Sequence, residues 1–304
     1  MKKYQLLLMI MIMVSMPVHS RDTIRVVGSS TVYPFATVVA ETFGRQDNGF
    51  KTPIIESTGS GGGLKLFCSG RGPSTPDVTN ASRRIKKSEV ELCAKNGVNE
   101  IIEHKIGYDG IVIANAKNGH NYTISRKDLY MALAAKVPCG VQDGVTCDNE
   151  AKTWKDVNPS LPDIRIEVYG PPPTSGTRDA FAELGLGGGC KMIPWIKKFK
   201  KEDKSAWKKL CYTVREDGAY IETGENDNLI IQKLINNPDA LGVFGFSFLD
   251  QNTDSVKGAI VDGIEPTFES IASGDYKVSR SLFFYVKKAH IGSIPGIEEY
   301  MAEF

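Results

Sequence analysis

The feature that most constrains this 304-residue chain is a unit that recurs three times. In each copy a short β-rich run ends in glycines and hydroxyls and passes straight into a helical pattern. The first copy is Ile24-Arg25-Val26-Val27, the turn Gly28-Ser29-Ser30-Thr31, and then Val32, Phe35, Val38, Val39 and Phe43 on one predicted helix face. Pro34 falls in that helix's first turn, where its missing N–H costs nothing. The second is Pro53-Ile54-Ile55-Glu56, then Thr58-Gly59-Ser60-Gly61-Gly62-Gly63, then Leu64 to Phe67. The third is Ile164 to Tyr169, then Gly170-Pro171-Pro172-Pro173-Thr174-Ser175-Gly176-Thr177-Arg178, then Asp179 to Leu184. Strands alternating with helices predict an α/β fold with largely parallel sheets. Between the copies the sequence predicts helices near Lys86–Lys95, Ser125–Ala134, Asn226–Asn236 and residues 293–304. It also predicts a buried strand Gly110–Ala114 and a strand Leu241–Phe248.

At roughly 100–200 residues per domain, the length suits two domains. The chain begins Met1-Lys2-Lys3, runs apolar from Leu6 to Val14 and reaches the small-residue end Val18-His19-Ser20. This pattern predicts a signal peptide over residues 1–20 and hence export; the run is too short to span a bilayer of roughly 30 Å. No lipobox cysteine follows it, so a released rather than lipid-tethered protein is expected. Without Lys2 and Lys3, 35 of the 37 basic residues stand against 36 acidic ones. That balance argues against nucleic acid, which needs a strongly basic face. Six cysteines in an exported chain (Cys68, Cys93, Cys139, Cys147, Cys190 and Cys211) suggest three disulfides. Neighbours in sequence are the simplest of the possible pairings. No CxxC pair supports a metal site. The Lys-rich stretch Gly185 to Lys209 reads as a disulfide-flanked surface excursion with a solvated charged face.

Ligands of open parallel sheets collect beyond the carboxyl ends of strands, where helix N-termini present unpaired N–H groups and a partial positive charge. Three hydroxyl- and glycine-bearing turns at such ends ask for a small anion: glycine lets the backbone approach closely and hydroxyls add neutral donors. Arg83, at a further strand-to-helix join, and Arg178, after the third turn, offer guanidinium groups for charge-assisted pairing with an oxyanion.

The strings IRVVGSSTVYPF, TGSGGGLKLFCSG, DVTNASR and PTSGTRDAF, in that order, resemble the phosphate-binding proteins of bacterial phosphate ABC transporters, the PstS-like group of periplasmic binding proteins. The resemblance implies a type II fold: two α/β lobes joined by a double crossover and closing on buried phosphate. With it the lobes are expected at residues 21–107 with 244–304, and at 108–243. It implies that Ser30, Thr31, Ser60, Ser175, Gly176 and Thr177 hold phosphate oxygens, that an inner-membrane permease is the macromolecular partner, and that no cofactor is needed. The expected protein is a periplasmic monomer, not an enzyme. Two positions depart from the family pattern. Pro171 stands where an arginine is usual, which assigns the countercharge to Arg178, Arg83 or both. Arg83 stands where an aspartate usually accepts the proton of hydrogen phosphate. Sulfate lacks that proton, so the acceptor sets selectivity; Glu56, Asp77, Asp109 and Asp179 are its candidates.

Two alternatives remain beside phosphate capture: a receptor for another tetrahedral oxyanion such as sulfate, and an exported phosphate-ester hydrolase. Neither Ser29, Ser60 nor Ser175 sits in a G-x-S-x-G elbow. His104, His120 and His290 show no HExxH spacing, and the glycine run around Ser60 does not lead into Gly-Lys-Ser/Thr.

Overall fold

A computed structural model describes residues 21–29, 31–47, 49–224 and 226–304; the expected signal peptide and Ser30 lie outside the described residues. Strands β1 (Arg25–Gly28), β2 (Ile54–Ser57) and β3 (Val78–Ala81) lie parallel in the order β2-β1-β3. Helices α1 (Tyr33–Arg45) and α2 (Gly59–Phe67) follow the first two strands directly. Val26 and Val27 are buried on both sheet faces, as parallel strands between helix layers require. The expected face of α1 is rotated: Val32, Ala36, Ala40 and Phe43 point inward, whereas Phe35 and Val38 are 59% and 64% exposed. Small alanines let the helix lie close on the sheet, a preference that counting large apolar residues overlooks.

The sixteen-residue strand β4 (Ile101–Ala116) runs through both halves of the molecule. Its first part pairs antiparallel with β9 (Ser279–Lys287), which also pairs with β3. Its second part pairs antiparallel with β7 (Leu241–Gly245) and β8 (Val256–Gly258). From β7 the sheet continues parallel through β5 (Val168–Gly170) to β6 (Tyr220–Glu222). The order is thus β2-β1-β3-β9-β4-β7-β5-β6, with β8 beside β4. Both ends are parallel, as predicted, and an antiparallel centre joins them.

The chain does not return to the first lobe at residue 244 as expected. Strands β7 and β8 pair with the second part of β4, and Ala259, Val261, Ile271, Tyr276 and Val278 belong to the core around Trp154, Phe181 and Trp207. The return is made by β9, so residues 246–278 pack with the second lobe. The apolar run Leu241–Phe248 also divides: it is strand only to Gly245, and Phe246–Gln251 forms a short helix. Phe244 and Leu249 then share a core with Ile230, Ile231 and Leu234. Burying such a side chain is worth about 1.5–3 kcal/mol, available to either backbone form, so hydrophobicity alone did not separate them.

Three disulfides, Cys68–Cys93, Cys139–Cys147 and Cys190–Cys211, join neighbours in sequence. The first clasps α2 to α3 (Lys87–Lys95). The last ties the helical run that begins at Gly176 to α7 (Lys204–Tyr212), the partner of α6 (Pro194–Glu202). The third sequence unit supplies that run: α5 (Gly176–Ala180) passes into a π-helical turn over Phe181–Leu186. No helix among the described residues is long and apolar enough to cross a membrane.

Candidate functional site

The three turns meet at one cleft of about 1010 Å3 between the lobes. Ser29 and Thr31 after β1, Gly59, Ser60 and Gly61 at the start of α2, and Ser82 and Arg83 after β3 line its first-lobe wall. This convergence depends on close backbone packing. A Cβ on Gly63 would lie 2.4 Å from the Gly28 Cα, and one on Gly28 would lie 2.1 Å from the Asn80 carbonyl oxygen. Gly28 also has φ +135°, so a side chain there would be strained as well as crowded. The two glycines let the first turn of α2 sit on the end of β1.

Among the described residues no side chain caps α1 or α2, so their N-terminal N–H groups and partial positive charge are left to other partners. The Ser60 hydroxyl accepts from the Ser82 amide at 3.0 Å and lies 3.2 Å from the Ser82 hydroxyl, which fixes its position. Pro173, Arg178, Asp179, Ala182 and Glu183 form the facing wall. Behind them Ser175 accepts from the Thr177 amide at 3.2 Å, so it is the N-cap of α5. Gly176 lies against the first turn: a Cβ there would be 2.9 Å from the Thr31 Cα. Of the expected set, the structure brings Thr31, Ser60, Arg83 and Arg178 to the cleft surface. Ser175, Gly176 and Thr177 form the helix start beside it, and Ser30 is outside the described residues.

Three arginines reach the cleft in different electrostatic conditions. Arg83 makes a bidentate pair with Glu89, at 2.7 and 2.9 Å, and the hydrogen bonds it donates to Glu89 raise its already high pKa. Arg178 is 9% exposed, and its guanidinium carbon lies 4.0 Å from the centre of the Tyr220 ring. Its Nη1 is buried without a hydrogen-bond partner, and no carboxylate among the described residues forms an ion pair with it. Burial pushes the Tyr220 phenol up to about 12, against the pull of Arg178, so it stays neutral. Arg280 is the third, and it was not among the expected residues. Its Nη2 donates to the Thr31 hydroxyl at 2.7 Å, its Nε to Asp109 at 3.2 Å, and its Nη1 lies 3.6 Å from Glu183. It is the second residue of β9, just after a turn at residues 277–278 and between Ser279 and Ser281, where an arginine carries no distinctive sequence signal.

Of the four acceptor candidates, Glu56 pairs with Arg25. Asp77 is bonded by Arg21, the Arg25 amide and His290. Asp109 faces Arg280; burial raises its pKa although Arg280 opposes the shift. Asp179 alone of the four lines the cleft, and desolvation raises its pKa too. In the Lys-rich excursion Lys204 and Lys208 are exposed, as expected of a solvated face, and together with half-buried Lys200 they line the same cleft. No group of three or more His, Cys, Asp or Glu among the described residues could hold a metal ion. The arrangement can bind an anion through hydroxyls, helix starts and guanidinium groups.

The family model described as PBP superfamily domain matches residues 17–304. Among curated proteins, Protein SphX of Synechococcus elongatus is 30% identical over 277 residues, covering 88% of this chain and 70% of that protein. The phosphate-binding protein PstS of Staphylococcus saprophyticus is 30% identical over 280 residues, covering 90% and 73%. Among solved structures, a possible phosphate binding protein from Planctomyces limnophilus superposes with TM-score 0.72 at 28% identity, covering 92% and 86% of the two chains. An ABC-type phosphate transport receptor from Vibrio cholerae, at TM-score 0.58 and 20% identity with 92% of each chain covered, shares the fold.

Proposed function

This chain belongs to the PBP superfamily and to its family of PstS phosphate-binding proteins, and we propose that it captures inorganic phosphate in the cleft and delivers it to the permease of an ABC transporter. In this reading the protein works in the periplasm as a receptor without catalytic activity. The observation that carries it is Arg178: a buried guanidinium, lacking a carboxylate partner among the described residues and with one open donor, at a cleft lined by hydroxyls and uncapped helix starts. An isolated buried charge is costly, and an entering oxyanion would compensate it. Charge-assisted hydrogen bonds of this kind are worth about 1.5–3 kcal/mol each. Thr31 and Ser60 supply further donors on the opposite wall, and Arg280 holds the Thr31 hydroxyl in place.

Asp179 is the acceptor proposed for the proton of hydrogen phosphate. It lines the cleft and pairs with no arginine within salt-bridge distance, whereas the other three candidates are engaged elsewhere. A carboxylate there accepts from a protonated anion and repels sulfate, which has no proton to give. Titration calorimetry of the ligand-stripped protein with phosphate, repeated in excess sulfate, tests both parts. One-to-one phosphate binding that survives sulfate supports capture and the acceptor. Loss of the heat to sulfate removes Asp179 from its role and leaves a broader oxyanion receptor; no heat with phosphate overturns the reading.

A further inference from the structure

The cleft is larger and more basic than one phosphate requires. A five-atom anion fills roughly 60–90 Å3, taking the share of a liquid water as ~30 Å3, whereas the cleft measures about 1010 Å3. Seven basic side chains line it against three acidic ones: Arg83, Lys86, Arg178, Lys200, Lys204, Lys208 and Arg280 against Asp179, Glu183 and Glu216. The rest of the chain does not share this excess, since from Arg21 onward acidic residues outnumber basic ones, 36 to 35. Glu89 and Asp109, just outside the lining, answer Arg83 and Arg280, so among the described residues the cleft cations without a carboxylate partner are Arg178 and the four lysines.

The surplus lies at the outer end. Lys204 and Lys208 stand one turn apart on α7, a like-charge spacing that costs helix stability when nothing answers it. Lys200, in the last turn of α6, joins them, and Lys86 faces them from the first lobe. Among the described residues none of the four forms an ion pair. Lys200 and Lys208 instead rest over the rings of Trp207 and Tyr212. Burial first, then the charge of Arg83 and, more weakly, that of Lys204, holds the Lys86 pKa below the usual lysine value, although Glu89 opposes the shift. Trp207 is only 1% exposed, so the outer end offers an organic group little apolar surface on which to stack.

Resting on the phosphate reading above, we propose that Lys86, Lys200, Lys204 and Lys208 form a second, outer phosphate subsite, so that the protein also takes a condensed phosphate. One phosphoryl group sits at the inner hydroxyl–arginine site, and the next lies among the lysines. Glu183, a cleft residue 3.6 Å from Arg280, opposes the spread of negative charge across the cleft.

The test is calorimetry of the ligand-stripped protein with orthophosphate and with pyrophosphate at one ionic strength, repeated on a Lys200→Gln/Lys204→Gln/Lys208→Gln variant and on Lys204→Gln alone. Wild-type protein is expected to bind pyrophosphate about tenfold more tightly than orthophosphate, as two or three added charge contacts allow. The triple variant should lose that preference while its orthophosphate affinity changes by less than about threefold; Lys204→Gln should lose part of it. Pyrophosphate no tighter than orthophosphate in the wild type overturns the outer subsite and leaves the phosphate receptor standing. Equal weakening of both anions in the triple variant also overturns it, because the lysines would then supply only a general field. Binding of neither anion overturns the phosphate reading and this one together.

Discussion

The two walls of the cleft are prepared differently. On the first-lobe wall the donors already have partners: Ser60 is bonded to Ser82, Arg83 to Glu89, and Thr31 receives a hydrogen bond from Arg280. On the second-lobe wall Arg178 keeps an open donor in a buried position and Asp179 stands unpaired within salt-bridge range. The first wall therefore supplies geometry at little electrostatic cost, and the second supplies charge that only a ligand completes. An anion gains orientation from one lobe and neutralisation from the other, so neither lobe alone makes a full site.

Four substitutions can break or sharpen this contrast. The largest effect is expected on stability: Arg280→Ala strands the buried Asp109 and should cost about 3–5 kcal/mol in denaturant unfolding. A loss below about 1 kcal/mol would mean that Asp109 takes a proton without penalty and that Arg280 does not anchor the first wall. Next, Arg178→Ala should weaken phosphate binding by about 2–5 kcal/mol, roughly 30-fold or more, while leaving the empty protein at least as stable, because it removes a buried uncompensated charge. Wild-type affinity in that variant would take the countercharge away from the second lobe. The smallest effects belong to the first wall. Ser60→Ala should cost about 1–2 kcal/mol of binding and Arg83→Ala under about 1 kcal/mol, since Glu89 already answers that guanidinium. If Arg83→Ala proves worse than Arg178→Ala in calorimetry, the contrast is reversed.

The three turns at the cleft were legible because each couples two local signals, a β-rich run and a glycine- or hydroxyl-bearing helix start, that need no knowledge of the rest of the chain. The pairing of the cysteines was legible for the same reason, being local in sequence. What stayed hidden depends on long-range pairing. The segment 246–278 was expected in the first lobe because an apolar run carries no label for its partner strand. Arg280 was missed because it reaches the cleft only through its place opposite Asp109 in the β4–β9 ladder. Lys200, Lys204 and Lys208 read as a solvated face because their orientation toward the cleft follows from how the α6–α7 pair packs back on the second lobe. Arg83 and Arg178 could not be ranked from sequence, since the Glu89 carboxylate that separates them acts through a side-chain geometry no spacing rule supplies.

The passage between the lobes is itself a stretch of sheet. Strands β4 and β9 lie side by side across the boundary, with one irregularity where Leu282 faces Gly107 and Phe283 faces Lys105. A bulge of this kind locally bends and twists a strand while the ladder on either side persists. The connection therefore behaves like a leaf spring: stiff against sliding or pulling apart, compliant only in flexion. Domain motions of this class run on microsecond to millisecond timescales. Any flexion of that ladder would be felt by Arg280, which stands on β9 and donates to the hydroxyl of Thr31.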